Sequence, residues 1–260
     1  MTPNEVRIQI TNGHLLLPLT GMDSRFFSRE NLARALEGIT KTVGGVVVSR
    51  KGRPYVHCLK DINITLTSGD RLGLIGHNGS GKTTLLKVFA GIFPLGSGNI
   101  TIQGEVSTFI SQGLGMNPEM TAIDYLEMQC IIRDYDKKNT QKFVDDVLDF
   151  IELGEFVYAP IRTYSSGMRA RLFASSALFF PCDILLIDEG IGAGDAQFSE
   201  KFNARMNTFF EAAKIMALAT HSVGLLEEWC NKAIVMQKGE IIYAGAVDEC
   251  LDYYNKIGLV

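Results

Sequence analysis

At 260 residues, with 46% hydrophobic and 21% charged side chains, the chain has the length and composition of a soluble globular protein, enough for one large α/β domain or a domain with a subdomain. A formal net charge of −4 argues against a dedicated nucleic-acid binder. Five singly placed cysteines without a C-x-x-C pair support neither a disulfide framework nor a zinc site. No apolar run reaches the roughly 18 residues of a membrane span, and no signal pattern opens the chain, so a reducing cytosol is expected and any membrane role falls to a partner.

In chain order, Val6–Ile10 alternates and predicts a strand, as do Ile62–Leu66 and Ile100–Ile102. These three read as a half-buried antiparallel sheet. Arg71–Ile75 reads as a strand that leads through a glycine-rich loop into a helix over Thr84–Ala90. Between Met120 and Phe180 the pattern is helical: Phe143, Val144, Val147, Leu148 and Ile151 recur at helix spacing, with Asn139 or Thr140 as the cap and Gly154 as the stop. Residues 113–180 therefore read as a helical subdomain inserted into the core. Ile184–Ile187, Ile215–Ala219 and Ala233–Met236 are continuously apolar, as in parallel strands buried on both faces. A turn at Gly239-Glu240 and a closing helix over Val247–Asn255 follow. The fold class is α/β: a P-loop nucleotide-triphosphatase core with a mixed sheet, an antiparallel β-subdomain and the inserted helices.

Gly76-His77-Asn78-Gly79-Ser80-Gly81-Lys82-Thr83 fits the phosphate-cradling pattern G-x-x-x-x-G-K-[ST] at every fixed position, between the strand and the helix that the pattern needs. Its glycines let the backbone curl so that several N–H groups face one phosphate, and the helix start adds its positive dipole end. Residues Gly76 to Thr84 are thus the nucleotide-binding stretch. Lys82 is placed to reach the β- and γ-phosphates, and the Thr83 hydroxyl to bind Mg²⁺. Asp183-Ile184-Leu185-Leu186-Ile187-Asp188-Glu189 delivers an acid to the end of a buried strand. Asp188 suits Mg²⁺ held through water, and Glu189 suits the proton of an attacking water. Tyr164-Ser165-Ser166-Gly167-Met168-Arg169-Ala170-Arg171 sets small polar residues before a helix, a second anion site.

With these motifs in this order the chain resembles the nucleotide-binding subunit of an ABC transporter, over essentially the whole sequence from residue 56 onward. The resemblance implies a single nucleotide-binding domain over 1–260, ATP with Mg²⁺ as its cofactors, and ATP hydrolysis coupled to transport. Ser165, Ser166, Gly167 and Met168 stand in the family's L-S-G-G-Q signature, which implies a head-to-tail pair in which one copy's signature closes on the γ-phosphate held by the other. The same resemblance makes Gln112 the glutamine that senses Mg²⁺ and the membrane partner, Asp195 the D-loop aspartate and His221 the switch histidine at the γ-phosphate. The family usually stacks adenine on an aromatic after the first strand. The expected place here is near Leu17, which is not aromatic, so the role passes to Tyr55 or His57, or Tyr55 is simply a loop residue.

The signature variant, the Asp188–Asp195 stretch without proline or serine, and Gly76-His77-Asn78-Gly79 are similar to the polysaccharide-export branch. That branch moves lipid-linked glycans (O antigen, capsule or teichoic acid) outward. It implies an integral-membrane permease partner, a second copy of the chain, a glycan as indirect cargo, and a place on the cytoplasmic face of the cytoplasmic membrane. Some members carry a C-terminal glycan-binding β-sandwich. With the chain ending at Val260, that module is expected to be absent. Residues 20–55 form a longer connection than most such ATPases need. Leu32, Leu36 and Ile39 on one helical face, near Arg25, Arg29 and Arg34, read either as a membrane-facing helix or as a solvated decoration. The alternative functions are the same ATPase with a different cargo, such as teichoic acid, a drug or a lipid, and a non-transport soluble ABC ATPase. The latter typically carries tandem domains or coiled coils that this sequence lacks.

Overall fold

A computed structural model describes residues 5–18, 46–50, 53–109, 117–180, 182–188 and 196–258. The expected membrane-facing helix around Leu32–Ile39 falls outside them. In chain order the elements are β1 (Arg7–Pro18), β2 (Val46–Arg50), β3 (Arg53–Thr67), β4 (Arg71–Ile75), α1 (Lys82–Phe89), β5 (Ser97–Gln103), β6 (Val106–Phe109), α2 (Ala122–Ile132), α3 (Lys137–Ile151), α4 (Ser166–Ala177), β7 (Ile184–Asp188), α5 (Ala196–Ala212), β8 (Ile215–Ala219), α6 (Val223–Trp229), β9 (Lys232–Gln237), β10 (Glu240–Gly245) and α7 (Val247–Lys256). They fall into two compact units, one of residues 1–106, 183–189 and 213–260, the other of residues 107–182 and 190–212.

The first unit holds an antiparallel sheet in the order β2-β3-β1-β5. Ile8 and Ile10 of β1 sit opposite Leu66 and Ile64 on one side and Ile102 and Ile100 on the other. The three strands predicted from alternation do pair, and each runs longer than its alternating stretch. β1 passes Ile10 through a bulge, where Asn12 turns to a φ of 49° and Gly13 packs under Ile62, then resumes to Pro18. The second sheet runs β10-β9-β4-β8-β7 within this unit. β4 lies between β8 and β9 and is parallel to both, with Leu72 beside Ala217 and Leu74 beside Ile234. β7 adds in parallel to β8, and β10 closes the other edge antiparallel to β9. Ile184–Ile187, Ile215–Ala219 and Ala233–Met236 are buried throughout, as continuous apolar runs require in a sheet covered on both faces.

The second unit is largely helical. α2 starts on a reciprocal cap between Thr121 and Asp124. α3 is capped not by Asn139 or Thr140 but by Asp136, whose carboxylate accepts the Lys138 N–H at 3.0 Å. A carboxylate one residue ahead of the helix reaches its first donors, and residues already inside it do not. Nor does Gly154 stop α3. Glu152 does, in the left-handed conformation at a φ of 53°, with its carboxylate paired to Lys201. Gly154 instead opens a short 3₁₀ turn to Tyr158. Phe143, Val144, Val147 and Ile151 point into a core shared with Tyr125, Leu126, Leu172 and Phe180, as their spacing predicts. Arg133 lies 4.4 Å over the Phe180 ring and Arg171 4.5 Å over Phe198.

None of the five cysteines is in a disulfide, and burial pushes the Cys230 thiol up to about 12. A thiol held this firmly protonated is a packing group rather than a nucleophile.

Asp183 ties three segments together at the base of β7. One carboxylate oxygen accepts the Glu105 N–H at 3.1 Å, the other meets Lys214 Nζ at 2.8 Å, and its carbonyl accepts from Lys214 and Ile215. The Lys214 hydrogen bond, and then that of Glu105, hold its carboxyl below the usual carboxylate range. A group depressed in the folded state stabilises above its unfolded pKa of about 3.9, and that contribution is lost as pH falls through the folded value. Asp183→Asn is expected to cost about 1 kcal/mol at pH 7 and progressively less as pH falls below about 3.9, read from urea unfolding of both proteins across that range.

Candidate functional site

β4 ends at Ile75 in the middle of its sheet, and the chain turns through Gly76–Gly81 into α1. Gly81 occupies the cap position with a φ of 111°, a conformation costly for any residue with a side chain, so backbone alone forms the entry to the helix. The first turn of such a helix presents N–H groups outward, with the positive end of the dipole behind them. Lys82 is buried, and its ammonium donates to the carbonyls of Gly76 and, at 3.2 Å, His77. The positive charge is thereby held inside the loop.

A cavity of about 360 Å³ opens beside this loop. Asn78, Gly79, Gly81, Lys82, Thr83 and Thr84 line one part of it, and Asp188 from the end of β7 faces the same space. A hydroxyl and a carboxylate sharing a cavity with a buried ammonium are hard oxygen donors beside a phosphate site, the donor set that suits Mg²⁺. Among the described residues no cluster of three or more His, Cys, Asp or Glu forms a metal site by itself, so phosphate oxygens would complete the coordination. His221, just past β8, brings its Nε2 to 3.1 Å from Asn78 Oδ1 and so stands against the loop.

The loop is braced from behind by backbone. The Ser80 carbonyl accepts the Gly239 N–H at 2.9 Å, and the Gly239 carbonyl accepts the Lys60 N–H at 2.8 Å. Lys60 and Glu240 close the same contact with an ion pair at 3.0 Å. Gly239 has a φ of 82°, and a Cβ there would stand 2.3 Å from the Cys58 carbonyl oxygen. The β9–β10 turn and β3 thus grip the phosphate loop through a position that admits only glycine.

Gly76, His77 and Ser80 shape the loop rather than line the cavity. Tyr55 is half-buried opposite Pro18 at the β1–β3 edge and is not among the lining residues. Gln112, Glu189 and Asp195 fall outside the described residues. Ser165–Met168 lie in the other unit, where Ser165 caps α4 by accepting the Met168 N–H at 3.2 Å and Ser166, Gly167 and Met168 form its first turn. Arg169 returns a hydrogen bond of 2.6 Å to the Tyr164 carbonyl and fixes the entry to that helix. Leu17, Lys87 and Phe93 also line the nucleotide cavity, although no motif marks them. Gly239 reads as an ordinary turn glycine in the sequence, because its brace on the loop joins positions far apart in the chain.

A glycine loop between strand and helix, with a buried lysine and a facing strand-end aspartate, defines a nucleoside-triphosphate-binding protein. The chain matches the family of ABC transporters over residues 59–192. It is 38% identical over 208 residues to the O-antigen export system ATP-binding protein RfbE of Yersinia enterocolitica, covering 80% of this chain and 87% of that protein. It is 37% identical to the O-antigen export system ATP-binding protein RfbB of Myxococcus xanthus over 77% of this chain, and 38% identical to the teichoic acids export ATP-binding protein TagH of Enterococcus faecalis over 78%. The chain spans less than half the length of the last two, 46% and 45%. The fold is similar to that of the ATP-binding cassette MJ0796 in a dimeric post-hydrolysis state bound to ADP and phosphate, with a TM-score of 0.65 at 17% identity, covering 92% of this chain and 98% of that one. The chain belongs to the ABC transporter family, and it is an ATPase of that family.

Gly239→Ala is expected to raise the Kd for ATP about tenfold, from strain transmitted to the loop. Calorimetric titration measures it, with far-UV circular dichroism confirming an intact fold. Glu240→Gln, which loosens the brace without a clash, should change the Kd less than about threefold.

Proposed function

We propose that this chain is the ATP-hydrolysing subunit of an exporter that carries a lipid-linked polysaccharide of O-antigen type outward across the cytoplasmic membrane. The observation that carries the proposal is the 38% identity to an O-antigen export ATP-binding protein over most of both chains. The cavity that unites Lys82, Thr83 and Asp188 supplies the chemistry.

In this reading the loop backbone and Lys82 bind the β- and γ-phosphates of ATP. Thr83 and Asp188 hold Mg²⁺, which neutralises phosphate charge when bound, and Gln112 adds a ligand. Glu189 accepts the proton of the attacking water, and His221 donates to the γ-phosphate. Phosphoryl transfer needs chiefly positioning and charge stabilisation, and these groups provide both. A second copy, paired head to tail, brings Ser165 and the N–H groups near Gly167 over the γ-phosphate and excludes water, with Asp195 at the seam. Closing and reopening of that pair drives a permease.

Among the described residues no helix is long and apolar enough to cross a membrane, so the path for the glycan belongs to that integral-membrane partner. Support for a docked partner comes from the second unit. Ile131 and Ile132 at the end of α2 are 77% and 67% exposed, and Phe156 and Tyr158 of the adjoining 3₁₀ turn are 51% and 67% exposed. The subunit then sits on the cytoplasmic face, held through its permease. A second reading, teichoic acid as cargo, is favoured by the 38% identity to the Enterococcus faecalis protein. It keeps every residue in the same role.

Deleting the protein should leave lipid-linked glycan inside the cell and remove it from the surface. The unaltered protein should restore export, and Lys82→Ala should not. Surface glycan unchanged by the deletion contradicts the proposal, and the identity of the accumulated polymer decides between the two cargoes. In purified protein, Glu189→Gln should bind ATP with nearly the original affinity and turn it over about 10²-fold more slowly, measured as phosphate release.

A further inference from the structure

We infer that Asn78 is a competing acceptor for the Nε2 proton of His221, and that the histidine leaves it only for a charged acceptor of the kind that the γ-phosphate of ATP supplies and ADP lacks. The inference deepens the role proposed above for His221 and rests on it.

The hydrogen bond between these two residues joins segments that the fold fixes separately. The His77 carbonyl accepts the Ser80 N–H at 3.1 Å and Lys82 Nζ at 3.2 Å, which closes a tight turn with Asn78 and Gly79 at its centre. Gly79 has a φ of 80°, the value that the third residue of a type II turn requires. Asn78 holds the corner before it, where its side chain is exposed. His77 Nδ1 donates to the Asn78 carbonyl at 2.7 Å and fixes that corner from the other side. Facing it, β8 lies parallel to β4, with Ala219 opposite Leu74. Just past β8, Thr220 Oγ1 accepts the Ser222 N–H at 3.1 Å, and Ser222 caps α6. His221 is thus set between a strand end and a helix start, and its Nε2 meets Asn78 Oδ1 at 3.1 Å.

An amide oxygen only accepts, so Nε2 carries the proton of this pair and Asn78 holds it. One N–H directs one linear hydrogen bond, so the same proton serves Asn78 or a phosphate, and not both at full strength. Asn78 lines the nucleotide cavity and His221 does not, so the ring reaches that space through this amide. The amide is neutral, and hydrogen bonds to ionised acceptors are about twice as strong as those to neutral ones. Transfer of the Nε2–H from Asn78 to a γ-phosphate therefore runs downhill, and the amide sets a threshold that a weaker acceptor does not pass. With ADP, which ends at the β-phosphate, His221 stays on Asn78. The pair thereby distinguishes the two nucleotides through one proton.

The test is ring-nitrogen NMR of the full chain with labelled histidines, in the Glu189→Gln background that keeps ATP intact. The chain has four histidines, and His221→Ala identifies the His221 signal by its loss. The His221 Nε2 signal should differ between the ADP and ATP complexes with Mg²⁺. Asn78→Ala, and Asn78→Leu of similar size to the native residue, should shift it in the ADP complex and leave it in place in the ATP complex. By calorimetric titration both variants should raise the preference for ATP over ADP about threefold, the scale of one neutral hydrogen bond. The inference alone is overturned if the ADP and ATP complexes differ but neither variant moves the ADP signal, or if the preference for ATP is unchanged. If the two complexes give the same His221 signal, His221 does not meet the γ-phosphate, and that reading falls together with this inference.

Discussion

The proposed function depends on a stretch of six residues, Gly76–Gly81, kept in a shape that no regular secondary structure supplies. A loop that aims its N–H groups at an anion has given up the hydrogen bonds that would hold a helix or strand, so its shape must be imposed from outside. Here the constraint is the backbone clamp from Ser80 through Gly239 to Lys60. It joins the phosphate loop to β3 of the antiparallel sheet and to the β9–β10 turn of the mixed sheet. The mixed sheet in turn holds β4, the strand that delivers the loop, between β8 and β9. The neighbouring strand ends then bring Asp188 and His221 to the same place, as expected where ligands gather at the carboxyl ends of parallel strands.

The two units divide the chemistry. The first contains the phosphate loop, Asp188 and His221. The second contains Ser165–Met168 and the exposed apolar residues of α2 and the 3₁₀ turn. In the proposed cycle each copy supplies half of one site and the complementary half of another, so pairing with a second copy is central to it. In the second unit cations are laid over aromatic rings, Arg133 on Phe180 and Arg171 on Phe198.

Most of this was legible in the sequence wherever the determining forces are local or periodic. The phosphate loop is recognisable because its glycines, lysine and threonine must occur at fixed spacing. The strands of the mixed sheet are recognisable because burial on both faces demands unbroken apolar runs. The core face of α3 follows from its spacing. Its ends do not, because Asn139, Thr140 and Gly154 are equally good end signals by composition. Asp136 prevails through a capping hydrogen bond, and Glu152 ends the helix by taking the left-handed conformation at a φ of 53°. Phe93 and Gly239 carry no local signal at all. Each acquires its place only when the chain after α1 is laid along β1, or when the β9–β10 turn meets β3.

The central claim is that ATP held at residues 76–84 of one copy joins it to a second copy through Ser165–Met168. Sedimentation velocity of the Glu189→Gln protein, run with ADP and with ATP and Mg²⁺ at saturating concentrations, measures this directly. The account predicts a monomer with ADP and a dimer with ATP, the dimer abolished by replacing Ser165 with a bulky residue. Stoichiometric ATP binding with the protein still monomeric would contradict it.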